Sequence, residues 1–173
     1  MEINTSATGV VAALLYCSVA MLQFVSVRQN QTYNRYVLIG GFIAVVSHFL
    51  DIILSIAERN GPLFSVTEIS TIIAATISSI ILISSLKKPL LNLLVIVFPL
   101  AALSILASLF SAEKDQVSAI HPSTASHILL SILAYSIFSI AAIQAIIVAY
   151  QNFQLRNHRT AGILLAFPSL QDM

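Results

Sequence analysis

The chain has 173 residues, of which 58% are hydrophobic and only 9% are charged, and its formal net charge is +1. A soluble domain carries roughly 25% charged residues, so this composition excludes an ordinary soluble protein. The sequence contains no tryptophan and no basic run, which leaves nucleic-acid binding without support. The composition is typical of an integral membrane protein that contacts the lipid bilayer.

Five apolar stretches are long enough to cross a bilayer, which needs about 20 residues for each helix. They lie at 8–27, 36–57, 66–86, 89–110 and 124–152. Only helices and closed barrels satisfy the backbone hydrogen bonds within lipid, and barrel strands alternate over about 10 residues. Continuous apolar stretches therefore predict an all-α bundle of five spans, which forms a single transmembrane domain over residues 1–173.

The distribution of Lys and Arg predicts the orientation of the spans, because cytoplasmic segments carry an excess of both. Basic pairs occur in the three segments that alternation places on one side: Arg28 and Arg35, Lys87 and Lys88, Arg156 and Arg159. The other side carries only Arg59 and Lys114 as basic residues. We therefore expect the N-terminus outside and the C-terminus in the cytoplasm.

The second span holds two ionisable residues, His48 and Asp51. Charge is costly in a bilayer, so an ionisable residue in a span is a candidate functional residue. The three-residue spacing predicts both side chains on one helix face, where a carboxylate can hold one imidazole nitrogen and leave the other for a metal. The pair is either a metal or haem ligand with its orienting partner, or a polar pair that joins two helices.

His127 lies at the beginning of the fifth span. The positive end of a helix disfavours a protonated imidazole, and the neutral imidazole is the form that binds metals. The alternative is a solvated histidine at the membrane interface. We expect the helix face behind it to form a seam for close packing with another helix. The seam comprises His127, Ser131, Ala134, Tyr135, Phe138, Ala142, Ala145 and Ala149.

Two further residues each have a structural and a functional interpretation. Tyr135 either belongs to the packing seam or donates a hydrogen bond into a cofactor pocket. Glu68 lies in the first turn of the third span, where a carboxylate suits the helix dipole. We interpret Glu68 mainly as a capping residue, with a role beside a cofactor as the alternative.

Three segments resemble a known family. The stretches GFIAVVSHFLDIILSIAERNGPLFSVTEISTIIAAT (41–76) and HILLSILAYSIFSIAA (127–142) are similar to segments of the membrane haem-handling proteins of c-type cytochrome assembly, the CcsA, CcmC and HemX-like proteins. The tail FPSLQDM (167–173) resembles the Pro-Leu-rich stretch that precedes a further span in that family. Since the family has further spans, the resemblance implies that this chain is the amino-terminal portion of a longer family domain.

The resemblance implies a haem-binding and haem-presenting protein of the inner (plasma) membrane, without enzymatic activity of its own. It implies His127 as the outer ligand of the haem iron and His48 as an intramembrane haem-associated histidine. It also implies partners among the other cytochrome c assembly proteins and apocytochrome c. Two other functions stay open from the residues: a membrane scaffold or regulatory subunit without haem, and an ion- or proton-coupled transport component that uses Asp51 and Glu68.

The predicted orientation can be tested with Lys114→Cys and Arg156→Cys, each introduced into a Cys17→Ala background. We expect a membrane-impermeant thiol reagent to label position 114 but not position 156 in intact cells, because the two lie on opposite sides of the bilayer. Both positions should react after the membrane is permeabilised, which controls for accessibility. Labelling of position 156 in intact cells would overturn the orientation.

Overall fold

The structure is a computed structural model, which describes residues 5–29, 33–58, 61, 65–87, 90–111 and 122–156. Nearly all of them belong to five helices: α1 (Thr5–Gln29), α2 (Asn34–Glu58), α3 (Val66–Ser85), α4 (Leu94–Leu109) and α5 (Pro122–Arg156). A short 3₁₀ turn, Leu91–Leu93, leads into α4. No strand occurs among these described residues.

Each of these helices, with α4 extended through the 3₁₀ turn, is long and apolar enough to cross a membrane. The predicted all-α bundle of five spans is therefore confirmed, with helix ends within a few residues of those expected. The orientation of the bundle in a membrane stays a prediction. Lys114, one of the two positions in its test, lies outside the described residues.

Helices α1 to α4 form a closed ring in which α1 packs on α2, α2 on α3, α3 on α4, and α4 on α1. At one end of the ring, Gly9 of α1 lies against Asp51 of α2 and Leu109 of α4. Towards the other end, Gln23 of α1 bonds to Asn92, in the 3₁₀ turn just before α4. Val19 of α1 lies against Gly40 of α2, so α1 is antiparallel to both neighbours, as expected when successive membrane spans alternate in direction.

The inward face of α1 has heptad spacing, but it is not the most hydrophobic face of the helix. Most of its buried positions recur at alternating steps of three and four residues: Gly9, Ala12, Tyr16, Val19, Gln23 and Ser26. Ala13 and Ala20, seven residues apart, are buried beside this stripe. Such spacing is typical of left-handed bundles with interlocking side chains. Large apolar residues on the other faces, including Val11, Leu14 and Met21, are exposed. Lipid solvates those apolar faces, so the polar side chains are the ones enclosed by protein.

Two adjacent glycines set the close approach of α2 to the other helices. A Cβ atom on Gly40 would lie 2.8 Å from Cγ2 of Val19 in α1. A Cβ atom on Gly41 would lie 2.8 Å from Cδ2 of Leu82 in α3 and 3.3 Å from Cζ of Phe98 in α4. Small residues at such contacts let helix backbones approach closely, which is a main source of packing energy within membranes.

Helix α5 lies outside the ring and packs on α3. The face it turns inward carries Ile132, Ser136, Ile147 and Gln151, which are buried. The expected packing seam is therefore wrong for this chain's own bundle: of its eight residues, Ser131 is half-buried and the others are exposed. The observed face shields Ser136 and Gln151 from lipid, whereas alanines can face lipid without loss.

Enlarging Gly41 tests the close approach of α2. We expect Gly41→Val to lower the free energy of unfolding in detergent by about 1–3 kcal/mol, because the added side chain must displace Leu82 and Phe98. The matched control is Ala57→Val on the same helix, whose site is exposed. Equal thermal stability of the two variants would contradict the close packing at Gly41.

Candidate functional site

The four helices of the ring each contribute one fully buried side chain to a central cluster, defined as Tyr16, His48, Ser78 and Phe98. The ring of Tyr16 lies edge-on to the imidazole of His48, with centroids 5.5 Å apart and planes at 85°. It also meets the ring of Phe98 at 4.8 Å and 67°. Edge-to-face pairs of this kind are favourable beyond the area they bury.

The polar atoms of the central cluster are only partly paired. The hydroxyl of Tyr16 lies 3.2 Å from Nδ1 of His48, in hydrogen-bonding distance. The hydroxyl of Ser78, the third polar group of the cluster, lies near that of Tyr16 but not in the geometry of a hydrogen bond. None of the described residues provides a hydrogen-bond partner for Nε2 of His48 or for Oγ of Ser78. A buried polar atom without a partner costs roughly 1–3 kcal/mol, so both atoms require an explanation.

Asp51 is not the partner of His48. Its carboxylate instead accepts a hydrogen bond of 2.5 Å from the Thr8 hydroxyl of α1. Residues three apart on a helix differ by about 60° in direction and 4.5 Å in height. That offset brings His48 and Asp51 to different residues of α1, Tyr16 and Thr8. The expected pair of His48 with an orienting Asp51 is thus corrected, and Tyr16 is the residue that holds the imidazole.

The many hydroxyl groups of α3 do not form a polar path through the membrane. Those of Ser70, Thr71, Thr76, Ser79 and Ser85 donate to carbonyl oxygens of their own helix at 2.7–2.8 Å. Bonding to the preceding turn is the usual solution for Ser and Thr inside an apolar helix. Ser78, which is fully buried and lacks such a bond, differs from them.

Glu68 lies away from the central cluster, in the first turn of α3. The side chain of Ser65 caps this helix by accepting from the backbone N–H of Glu68 at 3.1 Å. Glu68 is 6% exposed. Its position three residues after a serine cap is one where the helix dipole favours a carboxylate.

His127 and Tyr135 lie on the exposed surface of α5. Tyr135 is 62% exposed and Phe138, further along the same helix, is 72% exposed. His48, in contrast, is enclosed within the ring of α1 to α4. The structure therefore does not bring the two candidate histidines into one site. Across the described part of the chain, no group of three or more His, Cys, Asp and Glu residues is suited to hold a metal ion.

The two histidines differ in whether they fit a haem. The open Nε2 atom of His48 has suitable ligand chemistry, but the ring is fully buried against Tyr16, in a bundle where even a Cβ atom on Gly40 or Gly41 would approach a neighbour to 2.8 Å. A porphyrin does not fit beside His48 unless the helices separate. His127 has the opposite character, since it is exposed at the beginning of α5 and is open to a flat apolar ligand.

Sequence reasoning missed Tyr16, Thr8 and Ser78. A signal for Tyr16 existed, because a tyrosine in the middle of an apolar span needs a partner for its hydroxyl. No comparable signal distinguished Ser78 from the other hydroxyl residues of α3.

The quoted similarity extends to Phe64 and to the tail 167–173, which lie outside the described residues. Comparison of the chain with protein-family models, curated proteins and solved structures gives no match.

The role of Tyr16 can be tested with Tyr16→Phe. We expect the free energy of unfolding to fall by about 1–3 kcal/mol, because Nδ1 of His48 would lose its partner inside the bundle. The control is Tyr36→Phe, since Tyr36 is 67% exposed and should change stability by less than about 0.5 kcal/mol. If both variants melt in detergent at the parent temperature, the Tyr16–His48 hydrogen bond does not stabilise the fold.

Proposed function

We propose that this protein binds haem in the plasma membrane and presents it for the assembly of c-type cytochromes, with His127 as the ligand of the haem iron. The single observation that carries the proposal is the exposure of His127 on a helix attached to the bundle along its opposite side. The resemblance of 127–142 to the haem-handling family supplies the ligand class. The excess of basic residues on the other side of the predicted bundle favours an external location for His127.

The surface of α5 next to His127 suits a flat, largely apolar ligand. Ser131, Ala134 and Phe138 follow His127 at i+4, i+7 and i+11, so they share its face of the helix. Ser131 directs its hydroxyl to the carbonyl oxygen of His127 at 2.8 Å, which removes that polar group from the surface. Small side chains followed by an exposed phenylalanine leave an apolar surface for a porphyrin.

The residues of this chain hold haem rather than transform it. A neutral imidazole donates a lone pair to iron. Bound haem would supply the group that is delivered to an apocytochrome. In this proposal His48 has a structural role within the central cluster, and the function of the chain depends on α5. Other cytochrome c assembly proteins and apocytochrome c are the proposed partners.

Ion- or proton-coupled transport has weaker support. That function would use Asp51 and Glu68, yet Asp51 is bonded to Thr8 and Glu68 lies at the capped start of a different helix. A scaffold without haem is the outcome that applies if the haem experiment fails.

The haem proposal can be tested by purifying the parent and the variants His127→Ala, His121→Ala and His158→Ala after expression with added haem. We expect His127→Ala to lose most of the co-purifying haem, because the ligand of the iron is removed. The other two variants should retain it. Added imidazole should partly restore the absorption spectrum of His127→Ala by occupying the free ligand position. Equal haem content in all the variants would reject His127 as the ligand.

A second comparison separates the two histidines. His48→Leu should lower the melting temperature in detergent while the haem content per folded protein stays that of the parent. His127→Ala should have the reverse pattern. Loss of haem from well-folded His48→Leu would instead assign the ligand role to His48, and absence of haem from the parent would reject the haem function.

A further inference from the structure

The central cluster contains two buried polar atoms that are not explained by the haem function. Nε2 of His48 belongs to α2 and Oγ of Ser78 belongs to α3, and both side chains are fully buried. No described residue pairs with either atom. His48 lies beside Tyr16 through its ring and Nδ1 atom. Leu82 of α3 faces Gly41 of α2, so the rise along the two antiparallel helices places Ser78 within about 5 Å of the level of His48. The two unpaired atoms therefore belong to one region of the core.

We propose that the central cluster is a binding site for one ordered water molecule, which joins His48 of α2 to Ser78 of α3 next to the hydroxyl of Tyr16. Buried waters in proteins typically make about three hydrogen bonds to polar groups that lack other partners. Tyr16, His48 and Ser78 offer that number of groups on three different helices. The site is internal and does not depend on haem.

The chemistry of the three groups selects a neutral ligand that both donates and accepts. When the phenol donates to Nδ1, the neutral imidazole carries its proton on Nε2 and donates from there. When Nδ1 carries the proton instead, Nε2 accepts. A hydroxyl also does either. Water matches both arrangements, whereas an ion matches only one set of roles and leaves its charge uncompensated in the core.

The missing hydrogen bond of Ser78 within its own helix supports this site. The next residue, Ser79, donates to the carbonyl oxygen of Ala75 at 2.7 Å, as other hydroxyl residues of α3 do within their helix. Ser78 lacks such a bond although the same kind of bond is open to a serine in an α-helix. A partner at the centre of the ring would explain why the Ser78 hydroxyl makes no bond to its own helix.

Replacing Ser78 should shift the melting temperature, relative to Ser79→Ala, in opposite directions for a hydrated and an unpaired hydroxyl. If water bridges Ser78 and His48, Ser78→Ala removes one of its partners, and the melting temperature in detergent should fall below that of Ser79→Ala. If Ser78 is simply unpaired, its removal relieves an unsatisfied group, and alanine also favours the helix. Ser78→Ala would then melt at or above the temperature of Ser79→Ala, and this result would overturn the proposal.

A spectroscopic measurement detects the water directly. Solid-state NMR of histidine-labelled protein in lipid bilayers should record magnetisation transfer from water to the imidazole of His48, with the signal assigned by its loss in His48→Gln. We expect the transfer to be strong in the parent and in Ser79→Ala, and weaker in Ser78→Ala. Its absence from the parent overturns the proposal whatever the melting data. None of these measurements uses haem, so the proposal stands or fails apart from the function of His127.

Discussion

The hydrogen bond between Tyr16 and His48 lies at the centre of the ring of helices, and it reflects the constraint on which the whole bundle depends. Apolar side chains gain little by leaving lipid for protein, so hydrophobicity does not decide which face of a membrane helix turns inward. Polar groups do decide, because an unpaired one in hydrocarbon costs several kcal/mol. Helix α1 follows this rule, since it buries Tyr16 and Gln23 while Leu14 and Met21 are exposed.

Close packing complements the polar contacts. Gly40 and Gly41 let α2 approach its neighbours so closely that a Cβ atom on either glycine would lie 2.8 Å from a neighbouring side chain. The dispersion energy of such a contact falls quickly with distance. The same closeness encloses the side chains of the central cluster. A polar group placed there is held in one direction, and for this reason the ring of His48 is fixed by Tyr16 rather than left free to bind a large ligand.

The span count could be read from the sequence because each span must match the thickness of the bilayer, a constraint that every helix meets separately. The partners of His48 and Asp51 could not, since they depend on how α1 lies against α2. A helix face comprises residues within a wide arc, so the three-residue spacing of His48 and Asp51 is compatible with a pair and equally with two separate partners. The seam on α5 failed for a related reason: a row of alanines permits close packing without requiring it, whereas Ser136 and Gln151 gain from being enclosed.

The two histidines differ in how closely each is tied to the packing of the bundle. His48 belongs to the ring, where every neighbour is needed for packing, so a change there alters the fold before it alters any function. His127 belongs to α5, which is attached to α3 along one face and presents the other. Its position is fixed by contacts such as that of Ile132, little more than one turn further along the helix. Since His127 is exposed, a ligand at the proposed site would arrive and leave without opening the core, as the proposed delivery of haem to an acceptor requires.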